Sequence, residues 1–290
     1  MTRYAVRHET HYAYGATVDL GFHMLRMTPM EGERQHLIAH QLEMLPRPLR
    51  VSAFRDHFGN GVHHVAVESP HDNFSVVLSA TVDVEPPAWS EPPTGPAWED
   101  VRESMRADGF PKPPEVAEFV EPSPLAPLDH AATDYARISF PENQPVVTGA
   151  LDLMGRVHAD FTYAPGATDV STSVAEVMTS RRGVCQDFAH TMIAGLRGLG
   201  LPARYVSGYL RTGNSFRGGD ASHAWVSLWC GDEVGWIELD PTNNFLVRDG
   251  HIAVAYGRDF SDVTPMRGVI LGGGRHSHTV AVSVAQLAGT

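Results

Sequence analysis

Between residues 1 and 85 apolar and polar positions alternate. Tyr4, Val6, His8, Thr10, Tyr12 and Tyr14 form one set, and Val76, Leu78, Ala80, Val82 and Val84 another. A period of two marks strands with one face buried. His36 to Leu45 reads as a further strand, stopped by Pro46 and Pro48. Phe54–Phe58 and Val62–Val67 flank Gly59-Asn60-Gly61, where Asn-Gly supplies the positive φ of a tight hairpin. This region predicts an antiparallel sheet or sandwich. Glu85 to Ala97 then holds five prolines and no periodicity, as expected of a stiff linker, and Pro111 to Pro127 is proline-rich again.

Beyond the linker the period changes. Asp100–Arg106 and Asp129–Arg137 read as short helices, and Val146, Val147, Ala150, Leu151, Met154 and Val157 form a helical stripe. Ser173 with Glu176 makes a capping box that opens a helix closed by Gly183. A new helix starts near Cys185, with Phe188, Met192, Ile193, Leu196 and Leu199 on its buried face; Gly200 and Pro202 stop it. Ser222–Cys230 and Trp236–Asp240 alternate as two strands. If Gly231-Asp232 is a two-residue loop, Cys230 faces Glu233 and His223 falls opposite Asp240, on the same side of the sheet. Thr279–Val284 adds a last strand, and Gly272–Gly274 a turn.

The candidate chemistry follows from that layout. Cys185 lies in the first turn of its helix, where unpaired N–H groups and the helix dipole stabilise a thiolate. A thiolate nucleophile needs a base, and the base an orienter; His223 and Asp240 are placed for those roles. Cys230 ends an apolar strand face with Val226 and Leu228 and reads as a small core residue. His190 lies about 140° round the helix from Cys185, by ~100° per residue, and turns away. Asp187 complements the helix dipole. His63 and His64 point to opposite faces, and His276 with His278 supply only two ligands, so no metal is expected. The chain contains no D-x-D-x-D-G calcium loop and implies no cofactor.

GVCQDFAH, SHAW and GWIELDPTN resemble the transglutaminase-like superfamily, and most closely its bacterial branch with a β-rich N-terminal domain. The resemblance implies Cys185 as nucleophile, His223 as base and Asp240 as orienter. It also hints that Tyr163 helps the Cys185 N–H bind an oxyanion, and Trp225 or Trp236 is expected to wall the substrate cleft. The expected fold is α+β. A β-rich domain spans residues 1–86, a proline-rich linker with short helices 87–144, and a papain-like core with the cysteine helix on an antiparallel sheet 145–290. The expected activity is acyl transfer at the amide of a peptide or protein, to water or to an amine. The alternative is an inactive binding or scaffold protein on the same fold.

Charge and composition narrow the partners. A formal net charge of −12 argues against nucleic acid. No run of ~18 apolar residues and no secretory signal are seen, so neither a membrane helix nor export is expected. Two cysteines in 290 residues do not make a disulfide scaffold. A reducing cytoplasm suits a working thiolate.

Overall fold

The computed structural model describes residues 1–106, 114–212, 217–219 and 221–287. The chain begins with β1 (Thr2–Leu25), β2 (Gln35–Leu45), β3 (Arg50–Arg55), β4 (Gly61–Val67) and β5 (His71–Val84), joined antiparallel in the order β2-β5-β1-β4-β3. The alternation sorts as expected: Tyr4, Val6, His8 and Thr10 are buried and Arg7 is exposed. β1 is long because its halves have different partners. Thr2–Ala13 pairs with β5, and Gly21–Leu25 pairs with β4.

The β3–β4 hairpin forms with a different turn from the one Asn-Gly suggests. Gly59 takes the positive φ, 80°. Asp56 Oδ1 accepts the N–H groups of Phe58 and Asn60, both at 3.0 Å. Asn60 itself is buried, and its amide is used elsewhere.

The helical part comprises α1 (Trp98–Arg106), α2 (Pro114–Ala117), α3 (His130–Arg137), α4 (Val146–Asp160), the two-residue strand β6 (Thr162–Tyr163), α5 (Val174–Ser180), its partner β7 (Arg182–Gly183) and α6 (Cys185–Gly198). The Ser173–Glu176 capping box opens α5. α5 ends earlier than expected, at Ser180, with Arg181 in the left-handed conformation (φ 53°). Gly183 serves another purpose: a Cβ there would lie 2.7 Å from the Asp187 carboxylate. α6 is buried all round from Asp187 to Arg197, not on one stripe alone. The reason is α3, which covers the side away from the sheet. A Cβ at Gly195 would meet the Ala132 carbonyl oxygen at 2.8 Å, so glycine permits the approach. Arg197 donates to the carbonyls of Phe119, Ala203 and Arg258 and to Ser123 Oγ, pinning the proline-rich stretch to the end of α6.

The second sheet contains β8 (Ala203–Leu210), β9 (His223–Trp229), β10 (Trp236–Asp240), β11 (Phe245–Leu246) and β12 (His251–Gly257), in the order β11-β10-β9-β8-β12. α6 packs on β8 and β9. β12 is an edge, and an unpaired edge leaves backbone groups to satisfy. Side-chain amides from the first sheet's region satisfy them. Asn60 Nδ2 donates to Tyr256 O while Asn60 Oδ1 accepts the Tyr256 N–H, both at 2.8 Å. Gln35 holds Ala253 in the same two-handed way, again at 2.8 Å.

After α7 (Phe260–Val263), β13 (Met266–Gly272) and β14 (His276–Gln286) leave the second sheet altogether. β13 pairs with the second half of β1 and β14 with the first half. At this end, therefore, residues 266–286, expected within the 145–290 core, pair with β1 of the N-terminal sheet. Alternation identifies a strand, but not which sheet receives it. Among the described residues, no helix is long and apolar enough to cross a membrane.

Candidate active site

Cys185 is the first residue of α6, partly exposed and free. Asp187, two residues on, accepts the Val184 N–H and the Thr168 hydroxyl, each at 2.7 Å, and so fixes the start of the helix. Burial pushes the Asp187 carboxyl above its ordinary range, against these hydrogen bonds. Its carboxylate is engaged by the helix cap.

His223 opens β9 and Asp240 closes β10. The strands pair with Trp236 opposite Trp229 and Leu239 opposite Val226. The connection is longer than two residues, running from Cys230 to Gly235 with Gly231 and Gly235 at positive φ. The register is therefore displaced by two from the one expected. A shift of two keeps every side chain on its face, and Asp240 reaches His223 diagonally. His223 Nε2 donates to Asp240 Oδ2 at 2.9 Å, and both side chains are fully buried.

Asp240 is surrounded by donors. Oδ2 also accepts from His251 Nε2 at 3.0 Å and Asn243 Nδ2 at 2.8 Å; Oδ1 accepts the N–H groups of Thr242 (3.0 Å) and Asn243 (3.2 Å). Burial alone would raise this carboxyl, but the His223 charge and the two histidine hydrogen bonds hold it well below the carboxylate range. Burial likewise opposes charge on His223. The Asp240 carboxylate and the Cys185 sulfur outweigh it, and the imidazolium is favoured well above the usual histidine value. With Nε2 engaged, Nδ1 is the ring atom left to address sulfur. Among the described residues Nδ1 has no other partner, and the Cys185 sulfur favours the charged ring by its charge and by hydrogen bonding.

Asn243 and Gly218 complete the enclosure. Asn243 Oδ1 accepts the Arg217 N–H at 2.7 Å, which sets the next residue over the imidazole. At Gly218 (φ 83°) a Cβ would stand 2.9 Å from His223 Nδ1 and 3.5 Å from the Tyr163 hydroxyl. Tyr163 is thus at the site, edge-on to Phe188. Of the glycine-rich stretch 213–219 that contains Gly218, residues 213–216 lie outside the described residues. The two tryptophans are differently placed. Trp225 is fully buried, stacked on His223 and donating to Glu238 at 2.9 Å. Trp236 packs against Trp229, Phe119 and the Arg204 guanidinium. A tryptophan on the right strand face can back the histidine as well as front the substrate, and alternation does not separate the two.

The rival groups are structural. Cys230 is buried, and desolvation pushes its thiol far up. His190 Nε2 accepts the Phe260 N–H at 3.2 Å, and burial lowers the ring to about 4.

Residues 4–83 match the bacterial transglutaminase-like N-terminal region, and residues 136–241 the transglutaminase-like superfamily core. An uncharacterized protein of Mycobacterium tuberculosis is 40% identical over 276 residues, covering 92% of this chain and 87% of its own. The chain belongs to the transglutaminase-like superfamily. This transglutaminase-like chain also shares its fold with a crystal structure from Cytophaga hutchinsonii, described as a candidate cysteine protease. The two superpose with a TM-score of 0.76 at 23% identity, over 100% of this chain and 92% of that one. A protein-glutamine gamma-glutamyltransferase of Pseudomonas aeruginosa is 31% identical over 129 residues, 40% of this chain and 18% of the other.

Within the transglutaminase-like core, His251 and Asn243 are the site residues that sequence reasoning missed. His251 heads an apolar strand, HIAVAY, and a lone polar residue on such a strand is the signal available. His223, Asp240 and His251 offer ligand atoms within 4.8 Å of one another. Both histidines, however, direct Nε2–H at one carboxylate oxygen, 2.9 and 3.0 Å away. That spacing fits hydrogen bonds, whereas zinc would require all three atoms about 2.0–2.2 Å from a shared point.

Proposed function

We propose that the protein is a cysteine enzyme that cleaves or transfers amide acyl groups through a thioester. The observation that carries this reading is the His223 ring between Cys185 and the buried Asp240 carboxylate. The Cys185 sulfur attacks the carbonyl carbon. The N–H of Cys185, one of the first-turn groups without an intrahelical partner, and the Tyr163 hydroxyl are placed to meet the oxyanion. His223 gives its proton to the leaving amine, and a thioester remains. His223 then takes a proton from water or from a second amine as that nucleophile attacks; acid or amide leaves and the thiol is restored. Asp240 holds the ring and favours its charged form. Peptide or protein amides are the substrate class, and a reducing compartment suits the free Cys185.

Hydrolysis is favoured only slightly, because nothing in the sequence identifies an amine-binding pocket. The gamma-glutamyltransferase relative favours transfer instead, and preorganised amine binding at an effective ~10⁵ M or more can overcome water at ~55 M. The test supplies glutamine-containing peptides with and without a millimolar primary amine and resolves products by mass spectrometry. Acid product that disappears in Cys185→Ala supports the reading. A dominant amine adduct makes the enzyme a transferase, and no turnover of any peptide leaves the inactive-scaffold alternative standing.

A further inference from the structure

Behind the dyad, on the face of the second sheet away from α6, a cavity of about 490 Å³ opens between that sheet and residues 30–35. Arg204 projects into it from β8. Its guanidinium is held between two aromatic rings, 4.1 Å from the Trp236 centroid and 3.8 Å from that of Tyr256. Nε donates to Ser227 Oγ at 3.2 Å. The terminal nitrogens form no ion pair or hydrogen bond with any described residue. Glu238 is the nearest acidic neighbour in the cross-strand row, and both its oxygens are already engaged, by Trp225 Nε1 (2.9 Å) and the Tyr256 hydroxyl (2.8 Å).

Arg204 is half-buried, and a guanidinium partly removed from water without a direct counter-ion favours an anionic partner. Desolvation indeed lowers the Arg204 pKa, only partly offset by Tyr256 and Glu238. Two flat rings hold the planar fork rigid, so little entropy is lost when an anion docks on it. The remaining lining includes Trp229, Val234 and Val247, an apolar wall for the body of a ligand. Arg34 and Arg248 also line the cavity, each donating to a backbone carbonyl (Glu85 and Ser90), and Glu31, Glu33 and Glu238 balance the three arginines, so the lining suits a monoanion better than a dianion. A singly charged carboxylate matches the guanidinium fork in a two-point contact, and the volume lies in the usual range for small-molecule sites, ~300–1,000 Å³.

We propose that this cavity binds a small organic carboxylate with an apolar body, seated on the terminal nitrogens of Arg204 between Trp236 and Tyr256. The site is separate from Cys185 and does not depend on the enzymatic reading. It shares one wall with the dyad, because His251 lines the cavity and also donates to Asp240.

Isothermal titration of the full chain with 3-phenylpropionate, and separately with inorganic phosphate, tests this. Saturable 3-phenylpropionate binding is expected in the wild type and, unchanged, in Cys185→Ala. Arg204→Gln should weaken it at least about tenfold, with Arg204→Lys intermediate because ammonium keeps the charge and loses the fork. If circular dichroism shows Arg204→Gln unfolded, Trp236→Leu, which removes one stacking face, should give a comparable loss. No saturable heat up to about 10 mM 3-phenylpropionate overturns the proposal. So does binding within twofold of wild type in the folded Arg204 variants, or binding of phosphate alone.

Discussion

Cys185 and Cys230 carry the same side chain in opposite surroundings. One is partly exposed at a helix N-terminus beside an imidazolium; the other is sealed in an apolar strand face that keeps it protonated. Iodoacetamide near pH 6 should therefore label Cys185 selectively in the folded protein, as read by peptide mass spectrometry. Equal labelling of Cys230 would contradict the assignment. Asp240→Asn should keep the fold and lower kcat by roughly 10²–10⁴, since asparagine cannot favour imidazolium and selects the wrong tautomer. A kcat within threefold of wild type would remove the carboxylate from the mechanism. Cys185, His223 and Asp240 are legible in the sequence because each sits in its own compact block. His251 and Asn243 are less so. Their importance comes from converging on Asp240 in space, and His251 does so from a strand that is not even adjacent to β10 in the sheet.

At the scale of elements, the amide pairs on β12 matter most. Asn60→Ala would leave the Tyr256 N–H and C=O without the partners they now have. At about 1–3 kcal/mol for each buried unsatisfied group, the loss should be roughly 2–6 kcal/mol in urea unfolding. A change below about 0.5 kcal/mol would mean that water replaces the amide without cost. Asn60 also shows where local reading stops. The Asn-Gly pair correctly announces a hairpin, but Gly59 makes the turn and Asn60 is spent on another sheet. The β9–β10 register tells a similar story. The loop is longer than two residues, yet the displacement is an even number, so the pairing of His223 with Asp240 survives the error.

For the molecule as a whole, buried neutral histidines set the acid limit. Desolvation lowers His8, His23 and His190 to about 4, against ~6.5 in an unfolded chain. Their contribution is complete above pH ~6.5 and is lost as pH falls towards 4, because the unfolded chain takes up protons that the folded one refuses. Each can add a slope of up to about 1.4 kcal/mol per pH unit in that window. His223 does not offset this: its raised pKa gives a contribution that is full below ~6.5 and lost only as pH rises through the folded value. Urea midpoints at pH 7, 5.5 and 4.5 should fall in that order; constant midpoints would show that these rings are not held neutral. The longer helices and the strands β1, β2, β4, β5, β9, β10 and β14 were visible in the sequence, since periodicity reports which face is buried, whereas β8, β12 and β13 were not read as strands. The destination of β13 and β14 was not visible either, because both sheets offer strands of the same period. That destination sets the order in which the protein can be made. β1 leaves the ribosome ahead of its partners, and two of them are encoded roughly 240 residues later, which at ~5–20 residues per second is on the order of ten to fifty seconds. Until then β1 has open hydrogen-bonding edges in a growing chain, the kind of surface that recruits other strands. Synthesis rate and chaperone supply should therefore govern the yield of soluble protein more strongly than folded-state stability does.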